Sequence, residues 1–321
     1  MSLVGLREVL RDSIKGKYAV GAFDATDHLF AESILLAAEE TRTPVILMVG
    51  DFPAPVDYDN FYPYLVDRIS RTQVPVCLHF DHGASFEACA LAVKRGCTSI
   101  MIDGSALPFE ENVALTKKVV EMAHACNVEV EGEIGSVGRN ESLEGENAVS
   151  LYTEPEDAVE FARLTGVDAL AISYGTMHGA SKGKNVKLRK EIAVAIRECL
   201  NHEGIFGALV SHGSSTVPAY IVDEINGLGG TLTGTYGIAV SELQEAARCG
   251  INKINVDTDI RLAVTRNMKE FFAGNPEKRN SSSIGAIYEL LESKREQFDP
   301  RVFLTPIMDT VMTGVIPDED T

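Results

Sequence analysis

The chain has 321 residues, 45% of them hydrophobic, and a formal net charge of −18. That length can bury a large core, as one big domain or two small ones. The acidic balance, with no basic stripe, argues against nucleic acid or an anionic membrane as partner, but leaves room for an anionic small molecule in a locally positive pocket.

No apolar run reaches about 18 residues, so no membrane span is expected. The opening MSLVGLREVLRDSIKGK is amphipathic and charged throughout, unlike a secretory leader. Six cysteines, none in a Cys-x-x-Cys pair, read as reduced thiols of a cytoplasmic protein.

Strand-like and helix-like segments then alternate throughout, the last strand-like run ending at 257. Strands are expected at 18–24, 43–49, 74–80, 98–103, 128–134, 169–174, 207–212 and 251–257. After the third, Phe86, Cys89, Ala90 and Val93 follow the i, i+3, i+4, i+7 pattern of a helix. Thr153-Glu-Pro-Glu156 reads as a capping box opening a helix at 154–165, and Ser241-Glu-Leu-Gln244 repeats the signature before the last strand.

Eight such βα units in about 260 residues predict an α/β fold, a single (β/α)8 TIM barrel spanning 1–321 with a C-terminal helical extension over 262–321. A doubly wound sheet is the competitor, but no Gly-x-Gly-x-x-Gly follows the first strand. Two stretches exceed short loops. Residues 136–152 are polar and read as a mobile loop beside the site. Residues 216–240 contain GLGGTLTGTYG and read as an insertion or oligomer contact, since the strand-to-helix context of a phosphate loop is missing.

The chemistry gathers at strand ends. His82, His178 and His212 each precede a glycine just after an apolar run, where random placement of 7 His and 27 Gly would give fewer than one such pair. Three imidazoles on converging strand ends suit a catalytic metal with an open position. Asp81, beside His82, is placed to hold or move a proton there. Glu131 and Glu133 share one strand face, where like charges need a partner or a metal, and Asp103 ends the fourth strand. HGSST at 212–216 and NVDTD at 255–259 end the last two strands, where barrel enzymes often hold phosphate. Ser214, Ser215 and Thr258 fit that role, and Arg261 just beyond can grip a second anion.

Taken in order, VGAFD, the DHG of the third strand, IMIDGS, VEVEGEIG, GTMHG, SHGSS, INKINVDTDIR and FDPRVFL resemble a class II, zinc-dependent ketose-bisphosphate aldolase of the fructose-bisphosphate aldolase type. The resemblance covers nearly the whole chain. It implies that His82, His178 and His212 bind zinc, with cobalt an alternative, and that Glu133 and Asp103 hold the metal in a second, buried position. It implies that Asp81 moves the hydroxyl proton and that Glu141 exchanges the dihydroxyacetone phosphate proton. Gly179, Lys182, Gly213, Ser214, Ser215 and the run Asn255, Val256, Asp257, Thr258 match the dihydroxyacetone phosphate site, with a monovalent cation such as sodium or potassium. Asp257 and Arg261 match positions that recognise the aldehyde half. The 216–240 stretch is similar to a subtype usually found as homodimers.

The sequence departs from the family pattern where substrate is held. Asp24 stands where asparagine is usual, Val49-Gly50 where a Cys-Ser is usual, and Ala106 where histidine is common. The expected reaction is cleavage of fructose 1,6-bisphosphate, with tagatose 1,6-bisphosphate or another ketose phosphate as alternative. A zinc hydrolase of the amidohydrolase kind would want His-x-His on the first strand, which offers only AFDATDH. A sugar-phosphate-binding barrel without turnover is the remaining reading.

Overall fold

The computed structural model describes residues 2–50, 57–135, 152–179, 182 and 186–274. Eight parallel strands close into a ring in sequence order: β1 (Val20–Asp24), β2 (Val45–Val49), β3 (Val76–Gly83), β4 (Ser99–Ile102), β5 (Glu129–Ile134), β6 (Ala169–Ile172), β7 (Ala208–Ser211) and β8 (Ile251–Val256). Closure is made by β1 against β8, with Ala22 opposite Asn255. Each expected strand is present.

The helices are α1 (Leu6–Gly16), α2 (His28–Thr41), α3 (Tyr58–Ser70), α4 (Phe86–Lys94), α5 (Phe109–Ala125), α6 (Pro155–Thr165), α7 (Lys190–His202), α8 (Ala219–Gly227), α9 (Val240–Arg248) and α10 (Thr258–Gly274). Alternate strand residues pack outward against these helices in one large apolar cluster that includes Phe23, Leu47, Leu78, Ile100 and Val130. The inward set splits. Its lower part is apolar, with Val20, Ala22, Ile46, Met48, Cys77, Ala169, Ala171 and Val210 in contact with α1. Its upper part is polar and forms the site.

Helix α1 is the floor of the barrel. Leu6, Val9 and Leu10 on one face join the inner apolar cluster. Leu6 N donates to Glu129 Oε2 at 2.9 Å, Val4 N donates to Val76 O at 2.9 Å, and Thr98 Oγ1 donates to Val4 O at 2.7 Å. The segment ahead of the first strand is thereby tied to three strand starts.

Both expected capping boxes are corrected. Helix α6 begins after Glu154 with no side-chain cap. Thr153 instead bridges two strand ends, its hydroxyl donating to Ile134 O at 2.7 Å and accepting from Ser173 N at 2.8 Å. Ser241 lies inside α9, which starts at Val240 and is also uncapped by a side chain. A hydroxyl beside a strand end serves the orphan backbone groups there as readily as those of a helix. The helix with Phe86 is capped as local chemistry demands, by Ser85 Oγ accepting from Ala88 N at 3.1 Å.

Residues 216–240 carry α8 and then turn back toward the strand ends: Ile238 N donates to Ser215 O at 3.0 Å and Lys182 N to Tyr236 O at 3.0 Å. The loop 136–151, Glu141 within it, and the tail beyond 274 lie outside the described residues. All six cysteines are free thiols, three of them buried. Among the described residues no helix is long and apolar enough to cross a membrane.

Candidate active site

Strand alternation alone would aim Asp81 inward and His82 outward. The backbone breaks that rule at this point. His82 adopts φ 46°, and the pairing of β3 with β4 shifts register between Phe80 and Gly83. This bulge turns both polar residues to the same cavity. Gly83 follows because a side chain there has no room: a Cβ would sit 2.5 Å from Met101 O and 2.7 Å from Cys89 Sγ.

His178 arrives on the loop after β6 and His212 on the residue after β7. The three rings lie with centroids 4.8 to 6.1 Å apart, and one donor atom from each falls within 4.8 Å of the others. Gly213 makes that approach possible, with φ 59° and a backbone so close to Met177 and His178 that a Cβ would lie 2.5 Å from Met177 C. A second donor group, His82, Asp103 and Glu133, shares His82 with the first. Asp103 Oδ2 lies 2.8 Å from His82 Nδ1, leaving Nε2 toward the cavity, and Ser105 Oγ donates to Asp103 Oδ1 at 2.7 Å.

His212 is fully buried and held on both sides. Its Nδ1 is 2.9 Å from Glu133 Oε2 and its Nε2 is 2.8 Å from Glu131 Oε1. Below it, Lys253 Nζ donates to Glu131 Oε2 at 2.8 Å. Burial disfavours a charge on His212, yet the two carboxylates push its imidazole up to about 10. His178 has no such partner among the described residues; burial, with His212 and His82 nearby, brings it down to about 3.

Asp81 sits 3.8 Å from His82 Nε2 and accepts from Asn255 Nδ2 at 3.2 Å. Burial works against its charge, but His82, Lys253 and His212 hold the carboxyl below the usual carboxylate range. Asp24 ends β1 on the same cavity wall. Burial, then Asp81 and Asp257, push it well above that range.

The same cavity, about 240 Å³ in volume, is also lined by Gly179, Lys182, Gly213, Ser215 and Thr258. Burial brings the Lys182 ammonium down to about 8, and it donates to Met177 O. Ser215 Oγ accepts from Thr258 N at 3.1 Å and Asp257 N at 3.3 Å, joining the ends of β7 and β8 at the N-terminus of α10. Two expected contacts are redirected. Ser214 Oγ lies 2.7 Å from Ser211 Oγ and is fully buried, and the Val256 side chain belongs to the outer apolar core. Arg261 Nε donates to both Asp257 carboxylate oxygens, at 2.7 and 2.9 Å.

Residues 4–317 match the family model for class II fructose-bisphosphate aldolase. The chain belongs to that family. A fructose-bisphosphate aldolase of Giardia intestinalis is 37% identical over 320 residues, covering 99% of this chain and 92% of its own. One from Thermus caldophilus is 37% identical over 312 residues, covering 97% and 94%. The crystal structure of the YdjI aldolase from Escherichia coli K12 superposes with a TM-score of 0.73 at 25% identity, each chain covered to 98%.

As a class II aldolase, and so an aldehyde-lyase of a family that is generally metal-dependent, the chain presents a donor set that fits a divalent ion: neutral imidazole at His178, carboxylate-backed imidazoles at His82 and His212, and room beside them. Two titratable groups under the site escaped the sequence reading, Lys253 and His79, whose Nδ1 lies 2.9 Å from Ser99 Oγ; Glu131, read there only as needing a partner or a metal, finds its partner in Lys253. The signal was present in VCLHFD, VEVEGE and INKINV, each a strand-like run with a polar side chain at inward parity.

Proposed function

We propose that this aldolase uses zinc and catalyses reversible cleavage of a ketose phosphate into dihydroxyacetone phosphate and an aldehyde. The observation that carries the reading is the meeting of three imidazoles, Asp81 and Lys182 in one cavity. His82, His178 and His212 would hold the ion, with Glu133 and Asp103 able to share it in a second position. The ion would supply Lewis acidity at the ketose carbonyl and charge stabilisation for the enediolate.

The residues of the chain do the rest. Lys182, Ser215, Thr258 and the backbone of Gly179 and Gly213 bind the phosphate next to the carbonyl. Asp81, ionised and braced by Asn255, accepts the proton of the hydroxyl on the carbon that becomes the aldehyde. The adjacent carbon–carbon bond breaks, and its electron pair stays on the dihydroxyacetone phosphate half. Glu141, assigned by the family resemblance, returns a proton to that carbon. A monovalent cation can share the phosphate. Lys253 is ion-paired and fully buried, which disfavours imine chemistry at that lysine.

The names of the relatives make fructose 1,6-bisphosphate the first substrate to try. Asp24 in the cavity wall favours a second reading, a ketose 1-phosphate with a different far end. A homodimer in the cytoplasm completes the proposal. The experiment is dihydroxyacetone phosphate release from a panel of phosphorylated ketoses, before and after chelation and with zinc or cobalt restored. Full activity after exhaustive chelation would sink the metal-dependent reading.

A further inference from the structure

The cavity is electrostatically lopsided. Lys182 is the one lysine or arginine lining it among the described residues. Asp24, Asp81 and Asp257 line the same cavity, three acidic side chains to its one ammonium. Arg261, which acts on Asp24, has its Nε against both oxygens of Asp257.

The acidic lining also has a hydrogen-bonding character. Asp24 is 5% exposed and its Oδ1 has no hydrogen-bond partner among the described residues. Asn255 is 8% exposed, and its Oδ1 is likewise without one, because its amide nitrogen is spent on Asp81. Buried acceptors without donors are costly unless a ligand supplies the donor. Both side chains line the cavity. A sugar hydroxyl is a donor. A phosphate dianion has only acceptor oxygens, so it satisfies neither atom, and it would add to the negative crowding from Asp81 and Asp257 that already raises Asp24.

We propose that Asp24, with Asn255, is a specificity determinant that reads hydroxyl groups on the aldehyde half of the substrate and penalises a second phosphate there. The inference rests on the aldolase reading and sharpens it: the substrate class is a ketose 1-phosphate whose far end is hydroxylated and uncharged. One phosphate sits with Lys182, and the far end is held by acceptors.

The test uses the metal-loaded full chain in the direction of aldol addition. Dihydroxyacetone phosphate is combined with glyceraldehyde or with glyceraldehyde 3-phosphate, and kcat/KM is taken for each aldehyde. The wild type is expected to favour the unphosphorylated aldehyde by roughly tenfold, and Asp24→Asn to move that ratio roughly tenfold toward the phosphorylated one. Asp24→Ser, with no carboxylate, should move it the same way. The ratio cancels losses common to both aldehydes, so a damaged variant still reports. A wild type that prefers glyceraldehyde 3-phosphate overturns the inference whatever the variants do, as does an unchanged ratio in both variants. Proton exchange on dihydroxyacetone phosphate alone separates the two layers: its absence in the wild type overturns the aldolase reading itself, while exchange with the wrong aldehyde preference overturns only the role of Asp24.

Discussion

Lys253 and Glu131 form an ion pair of 2.8 Å in which neither side chain reaches solvent. The two residues come from β8 and β5, on opposite sides of the ring, and the carboxylate passes the contact on to His212 Nε2 at 2.8 Å. With Glu133 on the other ring nitrogen, this fixes the imidazole from below and from the side. The lysine is therefore part of the support of the three-imidazole end of the cavity.

Lys253→Met should leave the buried Glu131 with only His212, which it shares with Glu133, and cost about 3–5 kcal/mol of stability. The double variant Lys253→Met with Glu131→Gln should recover a good part of that loss, read from denaturant midpoints. No recovery in the double variant would show that the lysine acts by packing alone.

Metal uptake should release a proton. The two carboxylates keep the His212 imidazole protonated up to about 10, and a metal takes the neutral ring. Affinity should rise with pH across the neutral range, and calorimetric titrations in buffers of different ionisation enthalpy should show proton release at pH 7. His212→Ala should lose both the ion and activity. A metal content unchanged by that substitution would remove His212 from the ligand set.

Asp81→Ala should keep the fold and the ion but lower cleavage by roughly 10²–10⁴. Exchange of the dihydroxyacetone phosphate proton should survive better, because that step is assigned to Glu141. Asn255→Ala should act through Asp81, by freeing Oδ1 from its 3.2 Å contact. Equal loss of cleavage and exchange in Asp81→Ala would end this division of labour.

Phosphate binding should weaken above pH 8. Burial lowers the Lys182 ammonium to about 8, so the charge is present below that pH and lost above it. KM for the phosphorylated ketose is expected to climb through pH 8 to 9 in the wild type and to stay flat in Lys182→Arg, whose guanidinium keeps its proton. The same climb in both proteins would assign it to another group.

The barrel was legible because buried parallel strands leave unbroken apolar runs, and each of the eight runs became a strand. The polar strand ends were legible for the same reason: Asp24, Asp81, His82 and His212 interrupt or end such runs. What could not be read was geometry that overrides alternation. His82 reaches the cavity only through a left-handed residue and a register shift, and a one-residue parity argument would have pointed it away. Nor could sequence pair Glu131 with Lys253 across 122 positions. Local motifs misled where two neighbours competed for one group. The Thr153 hydroxyl went to strand ends instead of a helix cap, and Arg261 closed on Asp257 four residues away.

The floor made by α1 has a consequence for how the chain is born. Helix α1 leaves the ribosome well ahead of its anchors, since the acceptor for Leu6 N is 123 residues downstream. Until β3, β4 and β5 have emerged, the face carrying Leu6, Val9 and Leu10 has no barrel to close, and it travels as an exposed greasy strip. Such long-range closure is slow and open to capture by other chains. A chaperone that shields this strip during elongation should raise the yield of soluble aldolase, and α1, made ahead of every strand it packs on, is among the last elements to find its seat.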